Sequence, residues 1–103
     1  MTRYIIVYLG GNQPKNPEEG KKHFAKYMDW LKSLGSSAVS LANPLKNTNT
    51  INPNGSVTTG SSSAMSGYTI IKAESIDAAV KVAKNCPFLE IGGSLEVSEL
   101  VKM

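Results

Sequence analysis

His23 is the only histidine in the chain, and Tyr27 and Trp30 follow it at i+4 and i+7. At about 100° per residue these three lie along one side of a helix. An imidazole there can take or give a proton near neutral pH, and two aromatic rings can wall a ligand. His23 therefore has two readings. It is either a half-buried ring whose nitrogen meets a carbonyl or water, or a general acid/base. The further polar candidates are Thr59, Ser61 and Ser62. They belong to a window from Asn47 through Ile71 with no charged residue, whose serine-rich part, Gly60 to Ser66, is either a flexible loop or an uncharged lining for a pocket.

Partners for His23 are scarce in its own segment. Asp29, six positions on, lies roughly 120° around the helix and about 9 Å along it, so the two cannot touch. Glu19 stands one turn before His23, where an i, i+4 contact is possible, but a first-turn glutamate also serves the helix dipole. Cys86 is the single cysteine; it excludes an internal disulfide and fits a small apolar residue in a last helical turn, with a reactive thiol as the other reading. One histidine and one cysteine leave too few strong ligands for a zinc site, so no metal is expected. Gly10-Gly11 makes neither a GxGxxG turn nor a P-loop, and no cofactor is expected.

The elements that must carry these residues follow from the pattern. Tyr4 to Leu9, YIIVYL, predicts a strand buried on both sides or central in a sheet. Asn16 as N-cap, Pro17 at the first helical position and Glu19 three after the cap predict a helix from 17 to Leu34, ended by Gly35. Phe24, Tyr27, Met28, Leu31 and Leu34 share its core-facing arc, with His23 and Trp30 along one edge. Ser37 to Leu41 predicts a short strand interrupted by Pro44. The segments Leu45 to Ile51 and Ser56 to Thr59 flank Pro53-Asn54-Gly55, a hairpin signal.

The clearest stretch is Ser66 to Pro87. Tyr68 to Ala73 predicts a packed strand, Ser75 an N-cap, and Asp77 a charge suited to the positive helix end. Ile76, Ala79, Val80 and Ala83 draw one apolar stripe, and Pro87 stops the helix near Cys86. Past Gly92-Gly93, the run Ser94 to Met103 alternates Leu95, Val97 and Val101 with Glu96, Ser98 and Lys102, as in a strand with one solvated face.

At 103 residues with 41% hydrophobic content, the chain is expected to be one domain, residues 1–103, with a single two-layer core. The net charge of +3 is spread from Arg3 to Lys102 rather than clustered, which argues against nucleic acid as a partner. The apolar run at Tyr4 to Leu9 is too short for a membrane span and lacks signal-peptide flanks, so no membrane partner and a cytoplasmic location are expected.

The element order reads β-α-β-β-β-α-β. Its core is an α+β, ferredoxin-like split β-α-β sandwich: an antiparallel sheet with two helices on one face. The other sheet face is expected to be apolar through Tyr4, Ile6, Tyr8 and Ile70. A bare apolar face costs about 25 cal/mol per Å² in water, so a homodimer through that open face is expected.

The capped first helix ending at Gly35, Asn43-Pro44-Leu45, Ser66-Gly67-Tyr68, Ala73-Glu74-Ser75 with Asp77-Ala78-Ala79, Cys86-Pro87 and Gly92-Gly93-Ser94-Leu95-Glu96-Val97 together resemble the YCII-related, DGPF-domain family over nearly the whole chain. The resemblance implies a ferredoxin-like subunit that pairs into a dimeric α/β barrel. It also implies an active-site histidine on the first helix, matched by His23, paired with an acidic residue, within a superfamily of isomerases, dehydrochlorinases and monooxygenases. The signature loop departs from the family pattern. Where Asp-Gly-Pro-Phe is usual, this chain has Thr59-Gly60-Ser61-Ser62-Ser63-Ala64-Met65, so the loop's carboxylates are missing.

Three functions remain open on the sequence. One is a dimeric small-molecule-binding module with a degenerate signature loop, its ligand held by His23, Tyr27, Trp30, Thr59, Ser61 and Ser62. Another is a lyase- or isomerase-type enzyme with His23 as catalytic acid/base and Tyr27 or loop serines orienting the substrate. The third is a purely structural or interaction domain.

Overall fold

In the computed structural model, which describes residues 1–102, the sheet is built around β1 (Thr2–Gly10). This strand pairs antiparallel with β5 (Met65–Ala73) on one side and β6 (Gly93–Glu99) on the other, and its apolar run is Tyr4 to Leu9. β2 (Ala38–Pro44) closes the other edge, giving the order β2-β5-β1-β6. Two helices, α1 (Pro17–Ser33) and α2 (Ile76–Ala83), cover one face. The fold is α+β and ferredoxin-like.

Both helices start where cap chemistry dictates. Asn16 Oδ1 accepts from the Glu19 amide at 2.8 Å, and Ser75 Oγ accepts from the Ala78 amide at 3.1 Å. Ala79 and Ala83 are buried against the sheet, their small side chains letting α2 lie close. α1 buries Trp30 and Leu31, with Leu34 just beyond its last turn. Trp30 Nε1 donates to the Val82 carbonyl of α2 at 3.3 Å, tying the two helices together.

The structure corrects the expected face of β1. Tyr4, Ile6 and Tyr8 are buried under the helices with Ile71, Ala73 and Thr69, whereas Ile5, Val7, Leu9, Tyr68 and Ile70 occupy the open face and are half-buried. Both sets are apolar, so the strand's alternation alone could not say which set the helices cover. Ile70 is where it was expected.

Phe24 is a second correction: it is 62% exposed although it shares a helical side with Leu31. Two turns earlier along α1, it borders an open cleft instead of packed core. Met28 and Ile76 are likewise exposed at the margins of their stripes.

Four strands, not three, separate the helices. β3 (Asn49–Ile51) and β4 (Val57–Thr59) form a hairpin of their own, closed by a turn in which the Gly55 amide bonds the Asn52 carbonyl and Gly55 has φ 88°. β5 starts earlier than expected, at Met65. α2 ends at Ala83, three residues before Cys86. The final strand stops at Glu99, short of the expected run: Tyr4 faces Glu99, one further bond joins the Leu100 amide to the Arg3 carbonyl, and Val101 is exposed. Met103, included in the expected strand, lies outside the described residues.

Candidate functional site

His23, Phe24 and Tyr27 project from the middle of α1 over a cleft of about 270 Å³. Its other walls are Tyr8 of β1, Ala42 to Pro44 at the end of β2, Ser66 and Gly67 of β5, and Phe88 from the short 3-10 turn Pro87–Ile91. Two glycines make this arrangement possible. A Cβ on Gly67 would stand 2.9 Å from the Asn43 carbonyl oxygen, so only glycine lets β2 cross β5 this closely. A Cβ on Gly93 would overlap the Phe88 ring at 2.1 Å, so Phe88 takes its position because Gly93 has no side chain.

The rings are packed against one another. The Tyr8 and Tyr27 centroids are 5.9 Å apart, edge to face, and those of Tyr8 and Phe88 are 5.3 Å apart. Beneath them runs a chain of hydroxyls. Tyr27 Oη donates to Tyr8 Oη at 2.9 Å, Tyr8 Oη bonds Thr69 Oγ1, and Thr69 Oγ1 donates to the Leu41 carbonyl. Thr69 is fully buried. Burial also pushes the Tyr8 phenol well above its usual range, with the Tyr27 hydrogen bond adding to the rise and the Thr69 bond opposing it, so Tyr8 keeps its proton.

Among the described residues, His23 has no hydrogen-bond or ion-pair partner, and no residue lining the cleft is a carboxylate. Glu19 makes no contact of that kind with it. Asp29 lies on a separate, wider groove of about 560 Å³ with Lys26, Trp30, Lys84, Asn85, Cys86 and Glu90. That groove is crossed by an exposed Lys26–Glu90 pair at 3.4 Å and lacks the converging rings of the smaller cleft. Among the described residues, no three His, Cys, Asp or Glu side chains gather as a metal site would require.

Of the residues expected at a site, the cleft therefore brings together His23 and Tyr27. Trp30 stacks on Tyr27 at 6.0 Å but turns towards α2. Thr59 is exposed on β4, Ser62 is exposed beyond it, and Ser61 Oγ accepts from the Ser63 and Met65 amides, which makes it a local turn brace. Sequence reasoning missed Tyr8, Asn43, Ser66, Gly67 and Phe88 as cleft residues. Asn43, Ser66 and Gly67 did stand in family-marking segments; nothing comparable pointed to Phe88. Cys86 is buried in the core, and desolvation pushes its thiol up to about 11, opposed by a hydrogen bond from the Phe88 backbone.

A profile of the YCII-related domain matches residues 4–103. The chain belongs to the YCII-related domain family. Among solved structures this YCII-related protein is similar to 5-chloro-2-hydroxyhydroquinone dehydrochlorinase (TftG) from Burkholderia phenoliruptrix AC1100 in complex with 2,5-dihydroxybenzoquinone, with a TM-score of 0.59, 19% identity, and coverage of 96% of this chain and 93% of that one. At that identity the likeness bears on the fold. No protein of curated function matches this YCII-related chain. Among the described residues, no helix is long and apolar enough to cross a membrane, which says nothing of β-barrels.

Proposed function

We propose that this protein is a small-molecule-binding module, a single domain acting as a cytoplasmic homodimer, whose cleft receives one planar ring. The observation that carries this reading is the convergence of Tyr8, Phe24, Tyr27 and Phe88 on about 270 Å³ with His23 at the side and no carboxylate in the lining. Such a volume lies just below the range of ordinary ligand pockets and suits a ring with few substituents. The signature loop's lost acids fit the same reading. The open sheet face, with Ile5, Val7, Leu9, Tyr68 and Ile70 side by side, supports pairing with a second copy, because the same patch on both subunits is self-complementary.

A lyase- or isomerase-type activity is the second reading. His23 favours it, since an imidazole with no internal partner is free to exchange a proton with a bound ring, and the TftG enzyme shares the fold. The acid that would orient His23 would have to come from outside this cleft.

The test is a titration of ¹⁵N-labelled protein with phenol and simple substituted benzenes, read by amide shifts. Binding should move Tyr8, His23, Tyr27 and Gly67. Shifts confined to the Lys26–Glu90 groove, or none at all, would overturn the proposal. Chloride release from a chlorinated hydroquinone, lost in His23→Ala, would move the assignment to the enzyme.

A further inference from the structure

The hydroxyl chain under the cleft has a fixed direction, set by its far end. The Leu41 carbonyl can only accept, so Thr69 must spend its single hydrogen there. Thr69 Oγ1 can then only accept from Tyr8, and Tyr8, having given its hydrogen to Thr69, can only accept from Tyr27. If Tyr27 turned its hydrogen away, two phenol oxygens would face each other lone pair to lone pair at 2.9 Å. The relay therefore ends with the Tyr27 oxygen presenting lone pairs and no hydrogen to the cleft.

The remaining side-chain donors of the lining are committed in the same way. Asn43 Nδ2 gives its two hydrogens to Ser40 Oγ at 2.9 Å and the Tyr68 carbonyl at 3.1 Å. Ser66 Oγ donates to the Tyr8 carbonyl at 3.4 Å. Only His23, without a partner, can meet a ligand with either polarity.

We infer that the cleft selects by hydrogen-bond polarity at Tyr27: it takes a planar ring bearing an O–H or N–H that donates to Tyr27 Oη, and discriminates against rings whose polar group at that position only accepts. This rests on the proposed binding role and adds what the ligand must carry. A ring carbonyl placed against Tyr27 would meet only lone pairs, and to satisfy it Tyr27 would have to withdraw its hydrogen from Tyr8, leaving two phenol oxygens facing each other or passing the break down to the buried Thr69. A donor costs the protein nothing to accommodate.

The probes are phenol, acetophenone and toluene, titrated against wild-type protein and Tyr27→Phe. Phenol should bind about tenfold more tightly than acetophenone, the effect of one satisfied against one unsatisfied hydrogen bond. Tyr27→Phe should bring phenol to within about twofold of toluene without weakening toluene, since it removes the acceptor facing the cleft and, beneath it, the hydrogen bond that Tyr8 receives. Thr69→Ser, which keeps the relay hydroxyl, should retain the phenol preference. If acetophenone binds as well as phenol, or Tyr27→Phe keeps the preference, the polarity inference fails while the binding role stands. If none of the three probes moves the cleft resonances, the binding role fails and takes the inference with it.

Discussion

Thr69→Val is the most informative single change to the fold beneath the cleft. Valine matches threonine in shape, the site is fully buried, and the hydroxyl makes two hydrogen bonds, to Tyr8 Oη and the Leu41 carbonyl. Leu41 lies where the β2–β5 register slips, between the paired residues Ser40 and Asn43, so its carbonyl depends on a side chain. Removing the hydroxyl strands the buried Tyr8 donor, at about 1–3 kcal/mol, and frees the part-buried Leu41 carbonyl, at about 1 kcal/mol. The extra methyl returns about 0.8 kcal/mol. The net loss should be about 2 kcal/mol, which in a chain of this size lowers Tm by roughly 8–16 °C. Thr69→Ser keeps both hydrogen bonds and loses only a methyl, at about 1 kcal/mol. Urea unfolding followed by Trp30 fluorescence gives both values. A Thr69→Val protein within about 0.5 kcal/mol of wild type, or less damaged than Thr69→Ser, would refute the relay as a structural element.

Two other perturbations test separate parts of the molecule. Val7→Lys places a charge at the centre of the open sheet face, opposite Glu96 and Tyr68. It should turn a dimer into a folded monomer by light scattering, and a wild-type protein that is monomeric at high concentration would sink the pairing proposal. Cys86 gives a pH test. Its thiol is neutral up to about 11 when folded, against 9.0 ordinarily, so the unfolded chain loses this proton first as pH rises. The Cys86 contribution is thus complete below about 9, declines between about 9 and about 11, and is gone above. Tyr8 titrates in the same direction, so the comparison is with Cys86→Ala: the stability gap between the two proteins should narrow across that window, and a widening gap would contradict the assignment.

The contrast between what the sequence disclosed and what it withheld has a physical cause. Caps and turns are local: Asn16 and Ser75 accept from amides three residues on, and the Gly55 amide donates to the Asn52 carbonyl three residues back, so their types alone placed both helix starts and the hairpin. The faces of β1 were not legible, because Tyr4 to Leu9 is apolar on the helix face and on the open face alike, and period two then carries no label for inside. Helical periodicity has a related blind spot. His23, Tyr27 and Trp30 do share a side of α1, yet seven residues place Trp30 about 10 Å along the axis from His23, beyond the cleft and bonded to Val82 instead. Phe24 shows the converse, since its angle points to the core but the sheet below it gives way to the cleft. An angle around a helix says which residues look the same way; what they look at is decided by strands far away in sequence. Here that is Gly67 letting the end of β2 lie close against β5, and Thr69 turning a chain of hydroxyls so that the Tyr27 oxygen faces the ligand as an acceptor.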